Sequence, residues 1–590
     1  MQSLSCRLCR GLVRSFALAF AIPFAGACSS SSSNAGATAP GDAGAGEAST
    51  TSLDVLTDNG MVHGASVAGV RSFLGIPFAA TTGGANRWKP PQPAAAWTTT
   101  LNATALGPIC PQIDPTTSAY ATTSDENCLT LNVWTPAQES STPLPVMVWI
   151  FGGAYSFGSG GAAPYSGDQL VPKGVVVVTM NYRVGTLAFL AHSELAAEDP
   201  SHSTGNYGLL DQQAALKWVQ TNIAAFGGDK SNVTVFGESA GANSVCLQLV
   251  SPGSLGLFNK AIVESGLCLT PDQTLAAAEA QGDRFAQAMG CADTSSTTAL
   301  ACLRQLSATA ITSGPASPPP QDPGGFFYQD ESTTLTFRPI VDGVFLTDQP
   351  ANLFAAGKQA PVPVLQGTNT SEGILFQISA LGPYTPVVTE DDYLGALTRA
   401  FGSNASAIAA QYPFADADAG TGSVDDDAAS PDAGAGVVVF DSANDALTQV
   451  TADAIFVCEA RRLERMLLAD GMKTFLYSFN GPLQGVPIPQ LAGKAFHSSE
   501  LPYVFGAPYA LGSVPTAGMP LVAAIEGYWT QFAKNGDPNG GSNPMWPAYT
   551  TMGDQNLTLD TTITVATGLE KASCDFWDAL AASDAGIAGF

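Results

Sequence analysis

The sequence predicts an α/β fold: a large, mostly parallel central sheet flanked by helices, in one domain spanning about residues 53–580. Three observations carry that reading. Apolar runs such as Pro145–Phe151 (PVMVWIF) and Gly174–Met180 (GVVVVTM) lack polar alternation, as strands covered on both faces do. Leu209–Ala225 (LLDQQAALKWVQTNIAA) has helical apolar spacing and good helix formers. The chain has 590 residues, 45% of them hydrophobic and only 12% charged, which is ample for a large core. Val233–Phe236 and Ala261–Val263 read as further buried strands, so strand and helix patterns alternate. No solenoid-length repeat interrupts them.

The segment before the domain and one segment within it have a different composition. Arg7, Arg10 and Arg14 precede a short apolar run, Ser15–Ala27, which is too short to span a bilayer. Residues 1–27 therefore read as a signal peptide. Ala25-Gly26-Ala27 fits an ordinary cleavage site, and with Cys28 it also resembles a bacterial lipoprotein lipobox with Ala25 in place of leucine. Eleven cysteines, less Cys6 and Cys9 of that segment, leave nine. Setting Cys28 aside for a lipid anchor leaves a number that an oxidising, exported compartment can pair completely. Residues 28–52 are rich in Ser, Ala and Gly, as a tether is. Residues 416–436 are acidic and Gly/Ala-rich, with Val424 the lone large apolar residue, and read as a surface insertion whose aspartates lack EF-hand spacing. With 50 acidic against 23 basic residues, the net charge of −27 repels phosphate backbones and excludes nucleic-acid binding.

The strongest chemical signal is Val233-Thr234-Val235-Phe236-Gly237-Glu238-Ser239-Ala240-Gly241. A strand runs into G-x-S-x-G and a helical pattern follows, the setting of a nucleophile elbow that lifts the Ser239 hydroxyl above a sheet. The flanking glycines avoid side-chain clashes at that turn, and the helix start favours a developing oxyanion. Of the four histidines, only His497 follows Ser239, as the order nucleophile, acid, histidine of α/β-hydrolases requires. His63, His192 and His202 read as surface or structural residues. The acid must lie between Ser239 and His497 on a turn after a strand. Glu372, in the polar turn after Pro363–Gly367, fits, and charge alone leaves others such as Asp342. Ser239 would attack an ester carbonyl, His497 would take and return the proton, and Glu372 would hold the imidazole tautomer. The small-residue loop Gly152-Gly153-Ala154 after another strand offers the backbone N–H groups of Gly153 and Ala154, with that of Ala240, as an oxyanion hole. A Gly-Gly pair on its own is equally an ordinary turn.

These residues resemble the type-B carboxylesterase and cholinesterase family, a branch of the α/β-hydrolases, from about Leu53 to Trp577. Phe226-Gly227-Gly228, four residues, then Val233–Gly241 matches that family's nucleophile signature. Glu126-Asn127-Cys128-Leu129-Thr130-Leu131-Asn132-Val133 resembles a second, with Asn127 where Asp or Gly is usual. Gly75–Ala79, Asn181–Gly185, Gly205–Asp211, Phe532–Asn539 and Trp546-Pro547 continue the likeness in order. The resemblance implies Glu372 as the acid, from Gly367–Gly373, and His497 as the base, from His497-Ser498-Ser499-Glu500. It implies Glu500 and Ser265 beside the triad, and Glu238 facing the substrate gorge.

The resemblance also implies three disulfides, Cys110–Cys128, Cys291–Cys302 and Cys458–Cys574. Cys246 and Cys268 are left over, either as a fourth pair or as two separate buried thiols. Two departures matter. Ala154 replaces the third glycine of the oxyanion loop and Phe151 its frequent histidine, which backbone donors tolerate. Pro111–Asn127 lacks the tryptophan that receives choline by a cation–π contact, with Tyr120 its one aromatic, so acetylcholine is not the expected substrate. Phe326, Phe327 and Tyr328 are candidates for an acyl pocket or for core packing. The expected activity is hydrolysis of neutral, moderately apolar carboxylic esters through an acyl-enzyme, with a small-molecule substrate and no metal or organic cofactor. The rivals are a lipase on longer chains, which would need a large apolar lid, and a non-catalytic binding protein of cholinesterase-like fold.

Overall fold

In a computed structural model the structure describes residues 52–292, 298–315, 335–378, 387–415 and 438–583. The leader, Cys28, the tether, the acidic insertion 416–436 and Phe326–Tyr328 lie outside the described residues. The apolar runs form an eleven-stranded sheet. In chain order its strands are β1 (Ala65–Val67), β2 (Val70–Pro77), β3 (Thr130–Pro136), β4 (Leu144–Ile150), β5 (Val176–Met180), β6 (Gly228–Glu238), β7 (Lys260–Glu264), β8 (Val364–Asn369), β9 (Thr474–Phe479), β10 (Gln555–Leu559) and β11 (Thr564–Thr567).

Their spatial order is β11-β10-β9-β8-β7-β6-β4-β5-β3-β2-β1. From β5 through β10 every neighbouring pair is parallel, whereas β1, β2, β3 and β11 join antiparallel. The parallel part is where side chains are buried on both faces, as in β5, β7, β8 and β9, so the absence of alternation in the sequence is explained. Two boundaries differ from the sequence reading. β6 is much longer than Val233–Phe236, and β8 runs two residues past Gly367.

The helices cover both faces. α1 (Tyr207–Asn222) starts before Leu209 and stops short of Ala225, because the chain tightens into a 3₁₀ turn, Ile223–Phe226, that ends on left-handed Gly227. It buries polar side chains as well as apolar ones. Asp211 clasps Arg183 through both oxygens at 2.7 and 2.8 Å, so two of the family-like segments, 181–185 and 205–211, meet in one buried ion pair. α2 (Ala240–Val250) follows the nucleophile turn. α3 (Ala443–Thr451) passes through a π-turn, Ala452–Val457, into α4 (Cys458–Ala469). α5 (Met519–Asn535) and α6 (Lys571–Ser583) complete the set used below. No described helix is long and apolar enough to cross a membrane.

Four disulfides tie these layers: Cys110–Cys128, Cys246–Cys268, Cys291–Cys302 and Cys458–Cys574. Cys246 and Cys268 therefore form a fourth pair, joining α2 to the loop after β7. All eight cysteines of the described residues are oxidised, which fits an exported protein.

Candidate active site

Parallel strands all end on one side of the sheet, and that side collects the candidate residues. β6 ends at Glu238, and Ser239 follows with φ 56° and ψ −125°, a backbone conformation that a non-glycine residue adopts only under constraint. The constraint is close packing. A Cβ at Gly241 would lie 2.1 Å from Ile150 O, so only glycine lets the turn approach β4. Ser239 N–H donates to Glu264 O at 3.0 Å, and Ser239 O accepts from Asn243 N–H at 2.8 Å. Because α2 begins at Ala240, the Ala240 N–H has no acceptor within the helix.

β8 ends at Asn369, and its turn delivers Glu372, which is fully buried. Glu372 Oε1 accepts from Ser265 Oγ at 2.5 Å and from Asn369 N–H at 2.7 Å. Oε2 lies 2.6 Å from His497 Nδ1. That carboxylate contact holds the ring proton on Nδ1 and leaves Nε2 to accept one. The His497 segment is stitched to the same turn: Ser371 N–H donates to Ala495 O at 2.9 Å, and Asn369 Nδ2 donates to Phe496 O at 2.9 Å. Asn369 Nδ2 also meets Glu500. The rings of Phe376 and Phe456, stacked on each other, both lie against the imidazole, with centroids 5.1 and 5.0 Å from it.

On the other side of the ring, Nε2 lies 3.1 Å from Glu238 Oε1 without an aligned hydrogen bond. Glu238 directly precedes Ser239, so this contact ties His497 to the end of the strand that carries the serine. Burial alone would lower the His497 pKa, but Glu238, Glu372 and Glu500 together outweigh it and raise it to about 9. The same carboxylates, crowded in a dry site, push Glu238 and Glu500 upward, burial being the larger cause for each. Glu238 and His497 thus compete for protons.

The other histidines lie elsewhere. His63 pairs with Asp54 at 2.7 Å on the surface, His192 caps the helix Ser193–Glu198, and His202 sits on a turn with φ 55°. Asp342, the rival acid, accepts from Ser203 Oγ at 2.5 Å and from the Val344 and Leu346 N–H groups, so it closes a loop. After β4, Gly153, Ala154 and Tyr155 have φ of 103°, 52° and 58°, and a Cβ at Gly153 would collide with Phe157 O at 2.2 Å. A Cβ at Gly152 would meet Glu238 Oε2 at 2.7 Å, so this loop packs directly against the nucleophile turn. Asn369, Phe376 and Phe456 were not singled out in the sequence. Asn369 lies in the same TNTSEG segment as Glu372, where an amide next to a turn was the available signal. Phe456 left none, since a π-turn brings it in. Among the described residues no cluster of His, Cys, Asp and Glu has the arrangement of a metal site.

Known proteins share this arrangement of chain. The carboxylesterase family matches over residues 51–577. A fumonisin B1 esterase of Sphingopyxis macrogoltabida is 36% identical, covering 84% of this chain and 85% of its own. The bile salt-activated lipase of Mus musculus is 34% identical over 89% of this chain and 86% of its own. A solved structure of a PNB esterase superposes with a TM-score of 0.72 at 31% identity, covering 89% of this chain and 99% of its own. The chain therefore belongs to the carboxylesterase family and is an ester hydrolase of the α/β-hydrolase fold.

Proposed function

We propose that the chain hydrolyses neutral, moderately apolar carboxylic esters through a Ser239–His497–Glu372 triad and a covalent acyl-enzyme. The observation that carries the triad is the 2.6 Å contact of His497 Nδ1 with Glu372, on a ring whose other nitrogen lies beside the Ser239 turn. Ser239 Oγ attacks the ester carbonyl carbon while His497 Nε2 takes its proton. The tetrahedral oxyanion is held by the N–H groups of Gly153, Ala154 and Ala240. As the C–O bond breaks, His497 returns the proton to the leaving alcohol, and water repeats the sequence to free the acid. Glu372 stabilises the imidazolium, and Ser265 and Asn369 hold Glu372. Glu238 and Glu500 adjust the charge around the ring.

The preference for shorter acyl chains is supported by the loop closed by Cys110–Cys128, which is polar and carries the two-residue strands Ile113–Asp114 and Ala119–Tyr120 rather than a large apolar lid. Lipase action on longer chains is the second reading, favoured by the bile salt-activated lipase relatives. A p-nitrophenyl ester series from acetate to palmitate decides between them. The proposal expects a short-chain optimum that collapses by several orders of magnitude in Ser239→Ala. A long-chain optimum makes the protein a lipase, and no turnover by folded protein leaves a binding role. We infer further that residues 1–27 are a signal peptide and that Cys28 carries a lipid anchor at the head of the 28–52 tether. Mass spectrometry of the mature N-terminus tests this: an acylated Cys28 supports it, and an unmodified N-terminus elsewhere refutes it.

A further inference from the structure

The oxyanion loop contains two consecutive non-glycine residues, Ala154 and Tyr155, in left-handed conformation. Such backbone persists only where its surroundings over-determine it, and the contacts of Tyr155 are part of those surroundings. Tyr155 O accepts from Gly185 N–H at 2.6 Å, and the Tyr155 ring is buried edge-on against Phe189 at 5.2 Å. Its hydroxyl lies 3.4 Å from Ser244 Oγ on α2. Ser244 Oγ in turn donates to Ala240 O at 2.9 Å and accepts from Gln212 Nε2 at 3.0 Å. The Ser244 hydroxyl proton is shared between Ala240 O and the Tyr155 hydroxyl, which accepts from it. Burial raises the phenol pKa well above its usual value, against the lowering effect of the Ser244 hydrogen bond, so the hydroxyl keeps its own proton while it accepts from Ser244.

The geometry points to Tyr155 as a positioning residue that locks the Gly153–Ala154 wall of the oxyanion hole to the Ala240 wall through Ser244. This inference rests on Gly153, Ala154 and Ala240 being the oxyanion donors. Two donors come from the loop after β4 and one from the start of α2, and these are separate elements. They stabilise an oxyanion only if all aim at one point, and the chain Tyr155–Ser244–Ala240 spans the gap between them. Tyr155 itself touches neither substrate nor the reacting atoms.

The test is Tyr155→Phe, which keeps the ring, its burial and its packing on Phe189 and removes one hydroxyl. Three quantities are measured: kcat and KM for p-nitrophenyl butyrate, the affinity of an alkyl trifluoromethyl ketone, and the affinity of a non-reacting amide of the same shape. The ketone mimics the transition state. Ser239 Oγ adds to its carbonyl carbon, the serine proton passes to His497, and the carbonyl electron pair becomes an oxyanion in the hole. The expected result is a fall of about five- to tenfold in kcat with KM unchanged, the same fall in ketone affinity, and no change for the amide. Ser244→Ala gives the same pattern, and the losses do not multiply in the double variant, because both break one chain of hydrogen bonds. Unchanged kcat and ketone affinity in Tyr155→Phe overturn the inference, as does equal weakening of ketone and amide, which marks a merely structural loss. If the wild type binds the ketone no better than the amide, the oxyanion-hole reading itself falls. If it binds the ketone tightly while Tyr155→Phe is silent, only the role of Tyr155 falls.

Discussion

Replacing Glu238 by glutamine should move the acid limb of the pH–rate profile downward. Glu238 Oε1 lies 3.1 Å from His497 Nε2, and both side chains are almost fully buried. Two unit charges at that separation attract by about 5 kcal/mol at an effective dielectric of about 20. That figure is a ceiling, because burial pushes Glu238 toward its neutral form, so it carries full charge for only part of the titration. The net rise of His497 from 6.5 to about 9 is shared among Glu238, Glu372 and Glu500 against the opposing effect of burial. Glu238 is the largest of the three, so its removal should lower the apparent pKa by about one to two pH units. The sign is fixed by chemistry: His497 works as a base only when Nε2 is free, and a carboxylate beside it favours the protonated ring. The assay is kcat/KM for p-nitrophenyl acetate between pH 5 and 10, which reports free-enzyme ionisations. An acid limb that stays in place or moves upward would refute the electrostatic reading.

Three further outcomes follow from the same structure. Ser265→Ala removes the 2.5 Å hydrogen bond to Glu372 and should lower kcat about tenfold with little change in KM, measured by steady-state kinetics. Cys458→Ala/Cys574→Ala opens a link between residues 116 apart in sequence, which loop entropy values at about 4–5 kcal/mol, so the melting temperature should fall clearly, and no shift would count against the link. Burial pushes Glu464 up to about 7 from 4.5, so the folded state holds a proton that the unfolded chain releases earlier. Stability contributed by this group is therefore present below about pH 4.5 and lost as pH rises toward 7, by about 3 kcal/mol. Glu464→Gln should flatten that decline in urea titrations at pH 5 and 8, and a slope identical to wild type would refute it.

Much of the fold and part of the site could be read before any coordinates. PVMVWIF and GVVVVTM are strands because nothing in them tolerates water on either face, and their burial in β4 and β5 bears this out. The antiparallel flanks of the sheet were not read, because strands such as Ala65–Val67 and Thr564–Thr567 are short and partly exposed, with little apolar signal. Around Ser239, local sequence suffices, since the strand, the turn and the helix are consecutive. Glu372 and Asp342 could not be separated by charge, because what distinguishes them is long-range: His497 reaches one, and Ser203 reaches the other. The fourth disulfide, Cys246–Cys268, needed the packing of α2 against the loop after β7. Phe456 needed the π-turn, and Tyr155 needed the left-handed loop, features with no periodicity to betray them.

Trapping the acyl-enzyme tests the central claim most directly. The protein is mixed with a slowly deacylating p-nitrophenyl ester, quenched in acid within the burst phase, and digested for mass spectrometry. Acyl mass on the peptide carrying Ser239, stoichiometric with the p-nitrophenol burst and absent in Ser239→Ala, is the predicted result. Ester turnover with no acylation of Ser239, or turnover that survives Ser239→Ala, would contradict it.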